Sequence, residues 1–236
     1  MERPGAIFLD AVGTLFGVRG SVGQIYSECA AHIGVNIAPE RLQQAFVQVF
    51  AQAPPLAFPN LATEAIPQAE YDYWYRITEQ TFALAGGLEH IPDFADFFPQ
   101  VYATFATADP WELYPDVLPA LQIWRAQGIP VGVISNFDSR LYRVLKALGL
   151  EPWVQTVTIS SQVGAAKPER QIFQAAWQAQ GQPAAPVWHI GDSWEADVLG
   201  ARAIGWRGIH LCRDREPTGQ DAIRQLTDLT REQLDG

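Results

Sequence analysis

From residue 111 onward the chain alternates short apolar runs with segments of helical length. No other feature narrows the possible folds as much. Residues 117–127 carry apolar side chains at helical spacing and stop at Gly128. The run 130–134 is rich in β-branched residues and reads as a strand. A helix over 139–148 ends at Gly149, and a strand over 156–160 follows. A helix over 169–180, a strand over 187–190, a helix over 194–204 and a strand over 208–211 continue the series. Strands separated by helices of this length build a parallel sheet with helices on both faces. The expected fold class is α/β, with a Rossmann-like parallel sheet core.

One more strand of this sheet is expected at the start, where Ala6-Ile7-Phe8-Leu9 runs into Asp10 and the turn residues Gly13-Thr14. Between it and residue 111 the pattern is helical only. Segments 21–33, 39–53, 66–85 and 94–106 each carry an apolar face, and Pro54, Pro55 and Pro59 break the series. The chain is therefore expected to form a core from residues 1–16 and 111–236, with an all-helical segment, 17–110, inserted. The tail after Arg213 is polar, with one short helix expected near 221–229.

Composition excludes several functions. A formal charge of −10 over 236 residues opposes duplex nucleic acid as a partner, and equally an anionic membrane surface. With 48% hydrophobic and 18% charged residues the chain is not disordered. It has no apolar stretch of the about 18 residues that a membrane span needs. The run 6–9 is too short for a signal-peptide core. Cys29 and Cys212 are far apart and form no CxxC pair, so free buried thiols are expected. These features lead to the expectation of a cytoplasmic protein, monomer or homodimer, acting on a small molecule.

Ligands of open α/β sheets sit beyond the carboxyl ends of the strands. Four such places carry unusual residues: Asp10 after the first strand, Ser135-Asn136 after the run 131–134, Lys167-Pro168 before the helix at 169, and Gly191-Asp192 after the run 187–190. Taken singly, each has a plain explanation as a turn, a helix cap or a surface charge. Capping alone does not call for an acid, a hydroxyl, a lysine and a second acid on four separate strand ends.

In this order the motifs DxxGT, SN, GxxKP (Gly164 to Pro168) and GDxxxxD (Gly191 to Asp197) resemble the haloacid dehalogenase-like hydrolase superfamily. The resemblance spans the whole chain and includes a helical cap placed after the first motif. The phrases Ile134-Ser135-Asn136-Phe137-Asp138 and His189-Ile190-Gly191-Asp192-Ser193 are similar to the branch related to the rhythmically expressed gene 2 protein. The resemblance implies that Asp10 is a nucleophile that forms an aspartyl-phosphate. It implies a Mg²⁺ held by Asp10, the Val12 carbonyl and Asp192. It gives Lys167 the task of neutralising charge, and Ser135 that of holding the transferred group together with nearby backbone N–H groups. Gly13, Thr14 and Asn136 complete the expected substrate contacts, and Asp197 is expected to orient Lys167 or hold metal-bound water.

One position departs from the family pattern. Phosphatases of this superfamily carry a second aspartate two residues after the nucleophile, which protonates the leaving group. Here that residue is Val12. General acid–base catalysis contributes typically about 10²–10⁴-fold, so its loss bears heavily on alkyl phosphates. A 2-haloacid dehalogenase has no leaving oxygen to protonate and fits Val12 equally well, but Gly191-Asp192 keeps the phosphatase-like metal carboxylate. The expected function is therefore a Mg²⁺-dependent phosphohydrolase. The alternatives are a haloacid dehalogenase and a non-catalytic binding protein of the same fold. Asp138 is expected to cap the helix at 139, and the four histidines are read as structural. Arg19 is expected to be exposed, and Trp194 to stand near the site entrance.

Overall fold

The computed structural model describes residues 3–184 and 186–229; the expected core segment 230–236 lies outside them. A six-stranded sheet forms the centre, in the order β5-β4-β1-β6-β7-β8, and every pairing in it is parallel. Its strands are β1 (Ala6–Leu9), β4 (Val131–Ser135), β5 (Thr156–Ile159), β6 (Val187–Gly191), β7 (Arg207–Leu211) and β8 (Ala222–Ile223). All four residues of β1 are fully buried between β4 and β6. Successive strand side chains point to opposite faces. Ile7 and Leu9 accordingly join one core with Leu121, Trp124 and Leu141, while Ala6 and Phe8 join another with Ile172 and Phe173. Burial on both faces explains why these strands read as continuous apolar runs.

The connecting helices are α5 (Val117–Ala126), α6 (Arg140–Ala147), α7 (Ser160–Val163), α8 (Arg170–Ala179) and the short α9 (Gly200–Arg202). Between residues 22 and 104 the chain is helical: α1 (Val22–His32), α2 (Pro39–Gln52), α3 (Ile66–Leu84) and α4 (Phe94–Thr104). Ser21 caps α1 by accepting from the Gln24 N–H, and Asp93 caps α4 by accepting from Ala95 and Asp96. These four helices share a separate core centred on Tyr26, Phe82, Phe94, Phe97 and Phe98.

Helix α3 is tied to the sheet's loops by polar groups. Buried Glu70 accepts from the Ser139 N–H at 3.0 Å, from the Ser139 hydroxyl and from the Ser161 hydroxyl at 2.6 Å. The Trp74 indole N–H donates to Asp138 at 2.5 Å, and the Ser160 hydroxyl donates to the Leu56 carbonyl at 2.5 Å.

Three local features differ from the sequence reading. Where a boundary was expected at residues 16–17, β2 (Phe16–Val18) pairs antiparallel with β3 (Trp111–Leu113) in a two-stranded ribbon. Strands of three residues are too short to show a period of two. The helix expected over 194–204 opens as a π-helical turn, Trp194–Leu199, before α9. The helix expected near 221–229 is instead the edge strand β8 followed by one 3₁₀ turn, Leu226–Asp228. There Asp228 accepts from the N–H groups of Arg224 and Gln225, local bonds that favour a turn over a helix.

Candidate active site

Three strands deliver the site directly. β1 ends into Asp10, β4 ends on Ser135, and β6 ends on Gly191 before Asp192. Lys167 comes from the connection between α7 and α8. Its ammonium is buried and donates to the Asp10 carboxylate at 2.6 Å, the Asp197 carboxylate at 2.6 Å and the Ile134 carbonyl at 2.9 Å. The Asn136 side chain holds the main chain of Lys167 from both sides. Its Nδ2 donates to the Lys167 carbonyl at 3.0 Å, and its Oδ1 accepts from the Lys167 N–H at 2.7 Å. The Asn136 side-chain amide thus positions the lysine.

Charge in this cluster is set by burial and by three close neighbours. Burial lifts the Asp10 pKa to about 7; Lys167 pulls against the rise, and Asp197 and Asp192 add to it. Burial also raises Asp197, but Lys167 and the hydrogen bond from His189 outweigh it and hold this carboxyl below its ordinary range. Burial disfavours the charged form of Lys167, but Asp10 and Asp197 outweigh it and raise its pKa. The ammonium therefore stays charged.

A carboxylate oxygen from each of Asp10, Asp192 and Asp197 lies within 4.8 Å of the others. Asp197 is already engaged, by Lys167, by His189 at 2.8 Å and by the Ser193 N–H at 3.0 Å. Asp192 differs: no other side chain holds its carboxylate among the described residues, and its own backbone N–H is the partner it has. Gly13, at φ 89°, leaves the space beside it clear, since a Cβ there would stand 2.3 Å from Asp192 Oδ2. An open carboxylate, a second one 4.8 Å away or less and an all-oxygen donor set suit a hard cation such as Mg²⁺. Val12 lines the same cavity, so the residues expected to hold the metal do fit one.

That cavity measures about 630 Å³ and lies between the strand ends and the helices. Asp10, Val12, Ser135, Asn136, Lys167, Asp192 and Asp197 all line it. Thr14 does not, which corrects its expected substrate contact. It is fully buried, its hydroxyl is without a partner, and its carbonyl accepts from Arg213 at 2.6 Å. Gly13 acts through its shape beside Asp192 and lines no part of the cavity. Arg19 is exposed, as expected. Trp194 is exposed and outside the cavity wall, with its ring beside His210 at 5.5 Å.

Sequence reasoning missed several participants. His189 is fully buried on Asp197, and His210 Nε2 lies 3.0 Å from the Asp192 carbonyl. A histidine inside an otherwise apolar buried strand was the available signal in both cases. Asp138 does accept from the Arg140 N–H at 2.9 Å, as a cap would. It also grips the Arg140 guanidinium at two points, 2.9 and 2.6 Å. That guanidinium lies in the cavity wall, 4.0 Å from the Tyr102 ring centre.

A parallel sheet with an acid, a lysine and a second acid gathered at its strand ends beneath a helical layer defines a hydrolase of the haloacid dehalogenase-like class. The family model for haloacid dehalogenase-like hydrolases matches residues 4–205, and the chain belongs to that family. The haloacid dehalogenase-like hydrolase domain-containing protein 3 of Danio rerio is 32% identical over 88% of this chain and 84% of its own. The rhythmically expressed gene 2 protein of Drosophila melanogaster is 29% identical over 87% and 82%, which places the chain in that branch. Among solved structures, an L-2-haloacid dehalogenase superposes with a TM-score of 0.72 at 19% identity over the whole of both chains. A phosphatase of the family from Thermococcus onnurineus superposes with a TM-score of 0.63 at 20% identity, covering 97% of this chain and 96% of its own. Both likenesses concern the fold.

Proposed function

We propose that the protein is a Mg²⁺-dependent phosphohydrolase acting on a small phosphorylated metabolite. The observation that carries this reading is the open Asp192 carboxylate beside Asp10 and Lys167. A site that only displaced halide from carbon would have no use for a second acid left open to the cavity. Asp10 attacks phosphorus; the bond to the leaving oxygen breaks and a phosphoryl group is left on the carboxylate. Water then cleaves the acyl phosphate and frees inorganic phosphate and Asp10. Asp10, the Val12 carbonyl and Asp192 would hold the Mg²⁺, which neutralises phosphate charge when bound. Lys167 offsets charge on Asp10 and the phosphoryl oxygens, with its place fixed by Asn136 and Asp197. The Ser135 hydroxyl holds a phosphoryl oxygen. No side chain at residue 12 can move a proton, so the leaving oxygen must depart with little help.

Steady-state hydrolysis with and without chelator tests the reading. Aryl and acyl phosphates are expected to outrun alkyl phosphates, with activity lost on chelation and restored by Mg²⁺. Equal rates on all esters, or indifference to chelator, would contradict it. The second reading, a 2-haloacid dehalogenase, draws on Val12 and on the apolar cavity wall. Halide release from small haloacids in chelator would establish it, and release from none of a panel would remove it.

A further inference from the structure

The cavity wall opposite Asp10 is aromatic and aliphatic, with Tyr26, Phe46, Phe50, Trp74, Phe98 and Phe105 among its members. Most polar side chains in this wall already have a partner within the protein. The Tyr26 and Thr78 hydroxyls lie 3.1 Å apart, the Tyr73 hydroxyl donates to the Pro54 carbonyl at 2.9 Å, and the Trp74 N–H is on Asp138. The Trp111 N–H donates to the Phe105 carbonyl at 3.3 Å. Of the wall's polar side chains away from Asp10, only the Tyr102 hydroxyl has no partner among the described residues. The wall's cations are equally committed: Lys167 to two carboxylates, Arg140 to Asp138 and, at 3.2 Å, to the Tyr102 carbonyl.

A sugar entering this space would bury several hydroxyls against few open partners, the Tyr102 hydroxyl foremost, and hydroxyls left unpaired there weaken binding. A second phosphate or carboxylate would meet, in the cavity lining, only cations already paired with a carboxylate. An aromatic or aliphatic body gains from every face it covers.

We infer that the substrate is a monoester or anhydride with a single phosphoryl head and an apolar, largely aromatic or aliphatic body, and that the helical wall rejects sugar and nucleotide phosphates. This rests on the phosphohydrolase reading above and names its substrate class. The Arg140 guanidinium carbon lies 4.0 Å from the Tyr102 ring centre and 5.2 Å from that of Trp74. With its charge paired on Asp138, it serves as part of the stacking surface.

The test compares three aryl phosphates whose phenols have similar acidity: phenyl phosphate, biphenyl-4-yl phosphate and 4-(glucosyloxy)phenyl phosphate. With the leaving group matched, kcat/KM reads only the remote substituent. The biphenyl ester is expected to exceed phenyl phosphate by about tenfold or more, and the glucosylated ester to fall below it. Phe50→Ser should shrink the biphenyl advantage, and Phe50→Leu should keep most of it. Binding of phenylphosphonate and biphenyl-4-ylphosphonate to Asp10→Asn, followed by tryptophan fluorescence, gives the same ranking without turnover. Turnover that favours the glucosylated ester, or is equal on all three, overturns the inference. If no ester is hydrolysed yet the biphenyl phosphonate still binds more tightly, the selectivity of the wall stands and the phosphohydrolase reading falls.

Discussion

The two walls of the cavity are built on opposite principles. The sheet side is polar and crowded with charge: Lys167 alone joins Asp10, Asp197 and the Ile134 carbonyl. The helical side is a mesh of rings, with Tyr71, Tyr75 and Phe94 all packed on Phe98 at centroid distances of 4.9–6.2 Å. Charge held between strand ends is fixed by the backbone of a buried sheet. Rings on helices offer area and shape, and area can be altered one residue at a time. In the proposed reading, chemistry and selectivity are set by different parts of the chain, joined by α3 through Glu70 and Trp74.

The contrast breaks most visibly at Asp10. Asp10→Asn is expected to remove turnover, by on the order of 10⁴-fold or more, with little effect on phosphonate binding. Next comes Lys167→Met, which leaves Asp10 and Asp197 facing each other in a buried site. Loss of one partner from a buried ion pair costs about 3–5 kcal/mol; urea denaturation should show a loss of that order, and kcat should fall at least as steeply as for a lost oxyanion donor, about 10²–10³-fold. Val12→Asp tests the missing acid. It is expected to raise hydrolysis of alkyl phosphates by up to about 10²-fold while changing aryl phosphates far less.

A change on the helical side should behave differently. Glu70→Ala removes three hydrogen bonds that fasten α3 to the loops after β4 and β5. Hydrogen bonds to a charged group contribute about 1.5–3 kcal/mol each at most, so urea unfolding should register a loss of a few kcal/mol. KM for biphenyl-4-yl phosphate should rise more than kcat falls, with Glu70→Gln restoring part of both.

The split between the walls also explains what was legible in the sequence. Strands such as Val131–Ser135 and Val187–Gly191 announce themselves as buried β-branched or apolar runs, and each ends on a residue that must face the ligand side. Asp10, Ser135, Lys167 and Asp192 stood out by their places at or beside strand ends, but only the four motifs together, and the family they resemble, suggested roles for them. The ribbon of β2 and β3 was not, because pairs of three-residue strands leave no periodic trace. Thr14 was misread, since a turn residue points by local geometry that its neighbours in sequence do not reveal. Glu70 was invisible for another reason. Its partners Ser139 and Ser161 lie across the packing of α3 on the sheet's loops, and a charged residue on a helix looks solvated until something covers it.

In the proposed reaction Asp10 accepts a phosphoryl group in a step that depends on a divalent cation. Rapid quenching of the protein mixed with phenyl phosphate, followed by intact mass measurement, reads that step directly. One added phosphoryl group is expected on the parent chain in Mg²⁺, none in chelator, and none on Asp10→Asn under either condition. A phosphoryl adduct that persists on Asp10→Asn, or turnover by the parent with no adduct at any quench time while haloacids release halide without metal, would contradict it.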